Sequence, residues 1–383
     1  MSEKPHYGVG MLGFGFIGKA HAYSHVTMPY FYQDLPFRAR LVGVCTGHEE
    51  TARKARDEYD FEFGTTRADE VIDCDDVDIV HICTPNSLHK DEILAAMDAG
   101  KHIYCDKPLV PTWTEAQDIL KALDGYEGTH QMTLQYRFYP ATMRAKQLAD
   151  EGFLGKLTCF RASYLHSGSI DPEKPMGWKL DAKMGGGVLN DLATHVVDLV
   201  QHLIGPFDRV LSSSRVLHPE RPSRDNPDQM VPVKAEDHAC LLLRNDDGLT
   251  GTIEATKIAT GMQDELRFEI HGTEGAMRFN LMEPDWLEIY DVNDPSEPIG
   301  GERGFKKVEC VQRYPEPGGK FPASKGSIGW IRGHAACLYN FMDAVHNGRQ
   351  AQPDMRAGAE LQRFVAAAKR SEETDSFVRP KDL

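Results

Sequence analysis

The stretch Val9–Gly18 reads VGMLGFGFIG, a short apolar run that leads directly into three glycines spaced as G-x-G-x-x-G. Glycines at this spacing allow a tight turn and a close approach of the backbone to a pyrophosphate. N–H groups at the start of a following helix bind phosphate oxygens. The glycine pattern alone is weak evidence, because glycine turns also have purely structural roles. Here it follows a predicted strand and opens a predicted helix, so we expect a dinucleotide-binding loop.

Strand and helix patterns alternate through the first third of the chain. Apolar runs predict buried strands at 9–12, 41–45, 77–83, 102–105 and 129–135, with helical patterns between them at 51–59, 88–99 and 114–123. Repeated β-α-β units of this kind predict a parallel sheet with helices on both faces. We therefore predict a doubly wound Rossmann domain of the α/β class over residues 1–135.

The sequence changes character after this point. Alternating apolar and polar residues predict further strands at 157–164, 208–215, 238–244, 249–256 and 265–271, several of them joined by hairpin turns. This pattern is typical of a large, mostly antiparallel open sheet. We predict a second α/β domain over residues 136–383, ending in helices at 331–347 and 357–371. The segment 295–325, rich in Gly, Pro and Lys, is interpreted as a surface loop.

Composition excludes several classes of protein. The 43 basic and 58 acidic residues among 383 give a net charge of −15, which repels phosphate backbones, so we expect no nucleic-acid partner. No apolar run approaches the roughly 18 residues of a membrane span, and no signal-peptide pattern is present, so we expect a cytoplasmic protein without a membrane partner. The eight cysteines are scattered, which favours reduced thiols and predicts no metal site.

Three further segments carry a resemblance to a known family. Residues 84–89 read TPNSLH, residues 105–109 read CDKPL, and residues 185–195 read GGGVLNDLATH. Together with QYRFYP at 135–140 and the strand-rich stretch 235–289, they resemble the glucose–fructose oxidoreductase/inositol dehydrogenase (Gfo/Idh/MocA) family over nearly the whole chain. Several motifs that match in order are far more specific than the glycine loop alone.

The resemblance implies an NAD(P)-dependent dehydrogenase that transfers a hydride at a secondary hydroxyl of a sugar, polyol or sugar derivative. It implies that Lys107 is the active-site lysine and that Asp191 and His195 form the family's D-x-x-x-H pair. The residues predicted to bind the cofactor are Gly13, Phe14, Gly15, Phe16, Ile17, Gly18, Thr46, His48, Thr84, Pro85, Asn86, His89, Asp106, Lys107 and Gln135. The family also implies a homodimer or homotetramer, commonly paired through the open sheet face.

The end of the second predicted strand leaves the choice between NAD and NADP open. An acidic residue usually binds the adenosine ribose about 20 residues after the glycines, but the strand ends in Cys45-Thr46-Gly47-His48. Thr46 and His48 could accommodate a 2′-phosphate, yet no arginine is adjacent, so the sequence favours NAD slightly. Two other departures from the family pattern are Asp106, where glutamate is usual, and Ala193, where glycine is common.

Histidine and lysine suit the two needs of alcohol oxidation. Removing a hydride also releases a proton, which a histidine with a pKa of about 6.5 can accept. A lysine cation stabilises the developing alkoxide in a site sheltered from water. Residues 188–204 are predicted as one helix in which Asp191, His195 and Asp198 share a face that lines a cleft. We assign His195 as the acid/base and Lys107 as its electrostatic partner, with Asp191 orienting one of them or binding substrate.

Four residues are predicted as weaker candidates for substrate contacts. Tyr164 and His166 lie at a strand end and offer hydrogen bonds, Trp178 offers an apolar face to a sugar ring, and His334 begins a late helix. For each of them a packing role is as compatible with the sequence as a substrate contact.

Two other functions remain open at this point. Some relatives hold NAD tightly and use transient oxidation for elimination or glycoside cleavage. A non-enzymatic, cofactor-sensing protein would need only the glycine loop, whereas this chain also keeps Lys107, Asp191 and His195. An enzyme is therefore the favoured interpretation.

Overall fold

The computed structural model describes residues 4–311, 326–327 and 329–383. These residues divide into two compact units. The first comprises 4–138 and 329–362, and the second comprises 139–311, 326–327 and 363–383. The predicted break at 135 lies three residues from the observed one. The predicted second domain, 136–383, differs in one respect, since 329–362 belongs to the first unit.

The strands are β1 (His6–Leu12), β2 (Arg38–Cys45), β3 (Phe63–Thr65), β4 (Ile79–Ile82), β5 (His102–Cys105), β6 (His130–Met132), β7 (Leu157–Leu165), β8 (Arg209–Arg215), β9 (Glu220–Pro222), β10 (Met230–Pro232), β11 (His238–Arg244), β12 (Thr250–Thr256), β13 (Glu265–Gly272), β14 (Gly275–Asn280), β15 (Trp286–Asp291) and β16 (Lys306–Glu309). The helices are α1 (Phe16–Phe31), α2 (Glu49–Tyr59), α3 (Ala68–Ile72), α4 (His89–Asp98), α5 (Trp113–Ala122), α6 (Pro140–Asp150), α7 (Thr194–Ile204), α8 (Trp330–His346) and α9 (Met355–Thr374).

The first unit contains a six-stranded sheet in the order β3-β2-β1-β4-β5-β6, with every pairing parallel. The central strands β1, β4 and β5 are short apolar runs that are buried almost throughout, as expected for a parallel sheet covered by helices on both faces. The predicted Rossmann fold is confirmed. The carboxyl ends of these three strands meet at one edge, where ligands bind in sheets of this kind.

Helix α8 belongs to the first unit because its apolar side packs on α1. Tyr339 stacks on Tyr32 with ring centroids 3.8 Å apart, and the Arg332 guanidinium lies 4.1 Å from the ring centroid of Phe31. Phe341, which is fully buried, joins the same apolar cluster. Helical periodicity in the sequence showed that α8 has an apolar face, but it could not show which surface that face covers.

The second unit contains an eight-stranded sheet in the order β16-β15-β14-β13-β7-β12-β11-β8. The β7–β12 pairing is parallel and the other pairings are antiparallel. Burial alternates along strands such as β11 and β13, because one face of the sheet is covered, in part by α6 and α7. The predicted mostly antiparallel sheet is confirmed.

The segment 295–325 differs from the predicted surface loop. It contains β16, which pairs antiparallel with β15 and forms an edge of the large sheet. This strand is only four residues long, KKVE, and has no alternating pattern that could have predicted it. Residues 312–325 of this predicted loop lie outside the described part of the chain.

Within the described ranges, no helix is both long and apolar enough to cross a membrane. The same residues contain no group of three His, Cys, Asp or Glu side chains that could hold a metal ion. All eight cysteines are free thiols.

Candidate active site

The glycine loop leaves an open surface above the start of α1. Gly13 has a φ of +86°, and a Cβ there would lie 2.5 Å from the carbonyl oxygen of Cys83. A Cβ on Gly18 would lie 2.5 Å from the Gly13 carbonyl oxygen, so both positions exclude larger residues. Gly15 caps α1, and nothing lies within 4 Å of the Cβ position there. Open backbone at a helix N-terminus fits the pyrophosphate of a dinucleotide.

The apolar residues between the glycines differ in exposure. The Phe14 ring packs edge-on against Tyr59 and Phe61, with centroids 4.9 and 5.2 Å apart. Phe16 is 76% exposed, and Ile17 is half-buried. Phe14 therefore anchors the loop through its side chain, which leaves its backbone as the part that can approach a cofactor.

The tip of β2 offers hydroxyl groups rather than a carboxylate. Thr46 Oγ1 and Thr51 Oγ1 lie 2.7 Å apart, and both lie within hydrogen-bond distance of the His48 carbonyl oxygen, at 3.0 and 2.8 Å. His48 caps α2 and is exposed. The first turn of α2 carries two exposed acids, Glu49 and Glu50. The first turn of α2 therefore places two negative charges beyond the end of β2.

The loop after β4 rests on a half-buried acid that sequence reasoning missed. Thr84 Oγ1 donates a hydrogen bond to Glu92 Oε2 at 2.5 Å. Loss of solvation, which the Thr84 hydrogen bond opposes and the Asp91 charge reinforces, raises the pKa of Glu92 to about 7. Pro85 precedes a short turn at Asn86–Leu88, in which Asn86 is buried. The available signal for Glu92 was its place in the first turn of α4, directly before Ile93, which is buried.

His89 joins two loops of the first unit. Its Nε2 lies 3.0 Å from the Thr84 carbonyl oxygen, and its Nδ1 lies 3.0 Å from that of Pro108 and 3.2 Å from that of Leu109. The side chain is fully buried, and this burial lowers the pKa of His89. The position fits a brace that holds the loops after β4 and β5 together rather than a direct contact with a ligand.

Asp106 and Lys107 follow β5 at the same sheet edge as the glycine loop. The Asp106 N–H donates to the Ile82 carbonyl at 2.9 Å, and both side chains are half-buried. Gln135 begins a short turn, is 3% exposed, and has an amide oxygen without a hydrogen-bond partner among the residues described. All fifteen residues predicted to bind the cofactor thus lie in the first unit.

The D-x-x-x-H pair lies on an irregular helix of the second unit. Leu189–Ala193 forms a π-helical turn, and α7 begins only at Thr194. The helix predicted over 188–204 is continuous and ends before Gly205 as expected, but Leu189–Ala193 is wound as a π-helix rather than an α-helix. A π turn is held by hydrogen bonds between residues five apart, so Asp191 and His195, which are four residues apart, are separated by about one turn. Such turns occur frequently at functional sites.

Two lysines bracket the Asp191 carboxylate. Lys257 Nζ lies 2.9 Å from Oδ2, and Lys179 Nζ lies 3.3 Å from both oxygens. The Lys257 side chain is 9% exposed and that of Lys179 is 55% exposed. Sequence reasoning missed both lysines, since they lie 66 and 12 residues from Asp191. A lysine directly after the predicted strand β12 was the only local signal for Lys257.

His195 lies beside a tyrosine that was predicted to contact substrate. The rings of Tyr164 and His195 have centroids 5.9 Å apart, and both residues are buried. The Tyr164 hydroxyl donates to Asp264 Oδ1 at 2.5 Å, so Asp264 is a further residue that sequence reasoning missed. His166 Nδ1 accepts a hydrogen bond from the Gly168 N–H at 2.9 Å, and burial lowers the pKa of His166. A neutral histidine and a tyrosine–carboxylate pair thus lie on the same strand end.

The two remaining substrate candidates occupy different environments. Trp178 is half-buried in the second unit, with the Lys179 ammonium 5.6 Å from its ring centroid. His334 lies on α8 of the first unit, is 1% exposed, and packs 4.3 Å from the Trp330 ring. Burial lowers the pKa of His334 to about 3. His334 therefore contributes to packing within the first unit, because it lies in the buried part of α8, the helix that packs on α1.

Comparison with known proteins agrees with both units. Residues 7–133 match the model of an oxidoreductase family with an NAD-binding Rossmann fold, and residues 142–278 match that of the GFO/IDH/MocA C-terminal domain. The levoglucosan dehydrogenase of Pseudarthrobacter phenanthrenivorans is 32% identical over 382 residues, which cover 97% of each chain. The inositol 2-dehydrogenase of Rhizobium meliloti is 27% identical over 281 residues, 73% of this chain and 77% of that protein.

Solved structures show the same relationship. Levoglucosan dehydrogenase in complex with NADH and levoglucosan has a TM-score of 0.92 at 32% identity, covering 98% of this chain and 99% of that one. An NAD-binding oxidoreductase from Klebsiella pneumoniae has a TM-score of 0.90 at 28% identity, with the same coverage of 98% and 99%. Both domains, the motifs of the sequence and these relatives agree. The chain belongs to the Gfo/Idh/MocA family of NAD-binding oxidoreductases.

Proposed function

We propose that this oxidoreductase oxidises a secondary hydroxyl of a neutral sugar, polyol or sugar derivative, with NAD as the preferred hydride acceptor. The observation that carries the proposal is the π turn of the second unit. It presents a carboxylate held by two ammonium groups, four residues before the buried His195. Ionised carboxylates accept hydrogen bonds from hydroxyl groups, and histidine exchanges protons near neutral pH.

The acidic surface beyond β2 supports NAD over NADP. Glu49 and Glu50 are exposed in the first turn of α2, and like charges repel the 2′-phosphate that distinguishes NADP. The Thr46 and Thr51 hydroxyls at the same place suit a ribose hydroxyl. Levoglucosan dehydrogenase, the relative at 32% identity, has been solved with NADH.

The proposed roles divide between the two units. The nicotinamide, when bound, supplies the hydride acceptor, and the backbone around Gly15 would hold its pyrophosphate. Lys107 donates a hydrogen bond to the substrate oxygen and stabilises the negative charge that develops on it. His195 accepts the hydroxyl proton at a ring nitrogen. Asp191 accepts a hydrogen bond from a neighbouring hydroxyl and so orients the sugar ring.

A two-cofactor screen tests this proposal. The purified protein is mixed with NAD or NADP and with levoglucosan, myo-inositol, scyllo-inositol or glucose, and nicotinamide absorbance is followed. We expect reduction of NAD with at least one of these compounds and a lower kcat/KM with NADP. If neither added cofactor is reduced but the substrate is still converted to product by a protein that retains bound cofactor, the reaction proceeds by transient oxidation instead.

We further propose that the chain forms a homodimer or homotetramer in a reducing compartment such as the cytoplasm. The face of the large sheet carries a groove of about 950 Å³ lined by Arg161, Leu242, Arg278 and Trp286, among others. Free thiols at all eight cysteines suit a reducing compartment. Light scattering at several protein concentrations measures the assembly, and a strictly monomeric mass would contradict it.

A further inference from the structure

One short segment fixes the backbone at both ends of the buried ion pair in the second unit. The Glu236 carboxylate accepts a hydrogen bond from the Leu189 N–H at 3.0 Å, and the Glu236 carbonyl accepts one from the Val188 N–H at 2.8 Å. The carbonyl of the next residue, Asp237, accepts one from the Lys257 N–H at 2.8 Å. Glu236 and Asp237 therefore fix the distance between the backbone of the π turn, which carries Asp191, and the backbone of Lys257.

The glycine run before the π turn makes room for this arrangement. Gly187 has a φ of +109°, and a Cβ there would lie 2.4 Å from Glu236 Oε1. Only glycine combines this backbone conformation with a carboxylate so close to the chain. Gly187 thus leaves room for the Glu236 carboxylate, which in turn fixes the backbone of the turn that carries Asp191.

The two lysines on Asp191 differ in how firmly they are held. A buried ammonium group is costly unless a carboxylate pairs with it, so the Lys257 and Asp191 charges depend on each other. An exposed ion pair, like that of Lys179, contributes little and exchanges readily with water or with ligand groups. An ionised carboxylate has about four acceptor sites. Asp191 can therefore keep Lys257 while a hydroxyl hydrogen takes the place of Lys179.

We propose that Lys257 is a positioning residue that holds Asp191 as an acceptor for a substrate hydroxyl, with Lys179 as the cation that this hydroxyl displaces. The inference rests on the proposed oxidation of a polyol and deepens it. The ligand must present a hydroxyl donor to Asp191. A carboxylate at this point of the ligand would face the Asp191 carboxylate and bind more weakly.

The test compares Lys257→Met, Lys257→Arg and Lys306→Met in the full-length protein. Lys306 pairs with Asp294 at 2.7 Å on the edge strand β16 and serves as the matched control. We expect Lys257→Met to lower kcat/KM for the polyol by about 100-fold, since a misplaced orienting group costs this much. The affinity for NADH should change by less than about twofold. Lys257→Arg should recover at least about tenfold, and Lys306→Met should match the wild type.

A double variant keeps the test informative if Lys257→Met does not fold. Asp191→Asn/Lys257→Met removes both charges of the pair, so folding should recover. Because Lys257 acts through Asp191, the double variant should bind the polyol no more weakly than Asp191→Asn alone, and a further loss of more than about fivefold would overturn the inference. Calorimetry measures polyol binding to the protein saturated with NADH, with levoglucosan and myo-inositol as probes. A kcat/KM within about fivefold of wild type in Lys257→Met would show that Lys257 serves the fold alone, which would overturn the inference.

The same measurements separate this inference from the proposed function. If the wild type binds a polyol without oxidising it, the proposed function fails, while loss of that binding in Lys257→Met still supports the positioning role. If the wild type oxidises a polyol and Lys257→Met does so equally well, only the inference fails. If the wild type neither binds nor oxidises any polyol tested, both are overturned.

Discussion

The two units of this protein present their chemistry in different ways. The first unit offers backbone, in the open N-terminus of α1 around Gly15, while the half-buried Phe14 and the buried His89 brace the loops. The second unit offers charged side chains, brought to Asp191 from residues 12 and 66 positions away. The backbone site is formed by consecutive residues, whereas the side-chain site is formed by residues that are distant in the sequence and brought together by the fold.

This difference predicts that changes in the second unit affect turnover without affecting cofactor affinity. His195→Ala should lower kcat by about 10³-fold, because a positioned acid/base contributes 10² to 10⁴-fold. The affinity for NADH, measured by nicotinamide fluorescence, should stay within about twofold. His238→Ala, on β11 of the same unit, is the control and should keep the wild-type kcat. If His195→Ala keeps more than a tenth of the wild-type kcat, its proposed role is wrong.

Glu92, which accepts a hydrogen bond from Thr84 in the loop after β4, titrates near neutral pH. The folded protein keeps the Glu92 proton until about pH 7, whereas the ordinary pKa of this carboxyl is 4.5. Stability that is present below about pH 4.5 is therefore lost as the pH rises to about 7. Glu92→Gln should remove this loss, on the order of 3 kcal/mol, so that the variant gains stability over the wild type between pH 5 and pH 8.

Urea unfolding at both pH values measures this effect. Glu70→Gln is the matched control, since the Glu70 carboxylate also accepts a hydrogen bond from a threonine hydroxyl, at 2.6 Å, but is 48% exposed. It should follow the wild type at both pH values. Equal free energies of unfolding for Glu92→Gln and the wild type across this range would contradict the account of Glu92.

Two glycine-to-alanine variants, Gly13→Ala and Gly15→Ala, distinguish the structural role of the glycine loop from its role in cofactor binding. Gly13→Ala places a Cβ against the Cys83 carbonyl at a φ of +86° and should cost about 1–3 kcal/mol of stability. Gly15→Ala meets nothing within 4 Å, so its stability should change by less than about 0.5 kcal/mol. Its affinity for NADH should nevertheless fall about tenfold, because the methyl occupies the space of the pyrophosphate. Unchanged NADH affinity in Gly15→Ala would place the pyrophosphate elsewhere.

The sequence was sufficient for features that depend on neighbouring residues. The strand–glycine–helix order at Val9–Gly18 and the apolar runs of β4 and β5 predicted the Rossmann sheet and the edge that carries Lys107. The alternation in strands such as β11 and β13 likewise predicted the large sheet. Such patterns work because backbone geometry repeats every two or 3.6 residues.

Features that depend on distant residues could not be predicted in this way. The partners of Asp191 and Tyr164, namely Lys257 and Asp264, come from strand ends that only the assembled sheet brings near. The π turn at Leu189–Ala193 is another case, because one extra residue in a turn leaves no mark on an apolar pattern. The half-buried Glu92 was missed because an acid near a helix start normally indicates a favourable interaction with the helix dipole.

The late return of the chain to the first unit has a consequence for biosynthesis. The six strands of the Rossmann sheet are complete by residue 132, yet the helix that covers Met28, Tyr32 and Phe37 begins only at Trp330. A nascent chain must therefore expose this apolar surface while about two hundred further residues are translated. A fragment cut at the domain boundary near residue 138 would keep the same exposed patch and tend to aggregate. The nucleotide-binding unit is thus compact, but it is built from two segments of the chain that are far apart in the sequence.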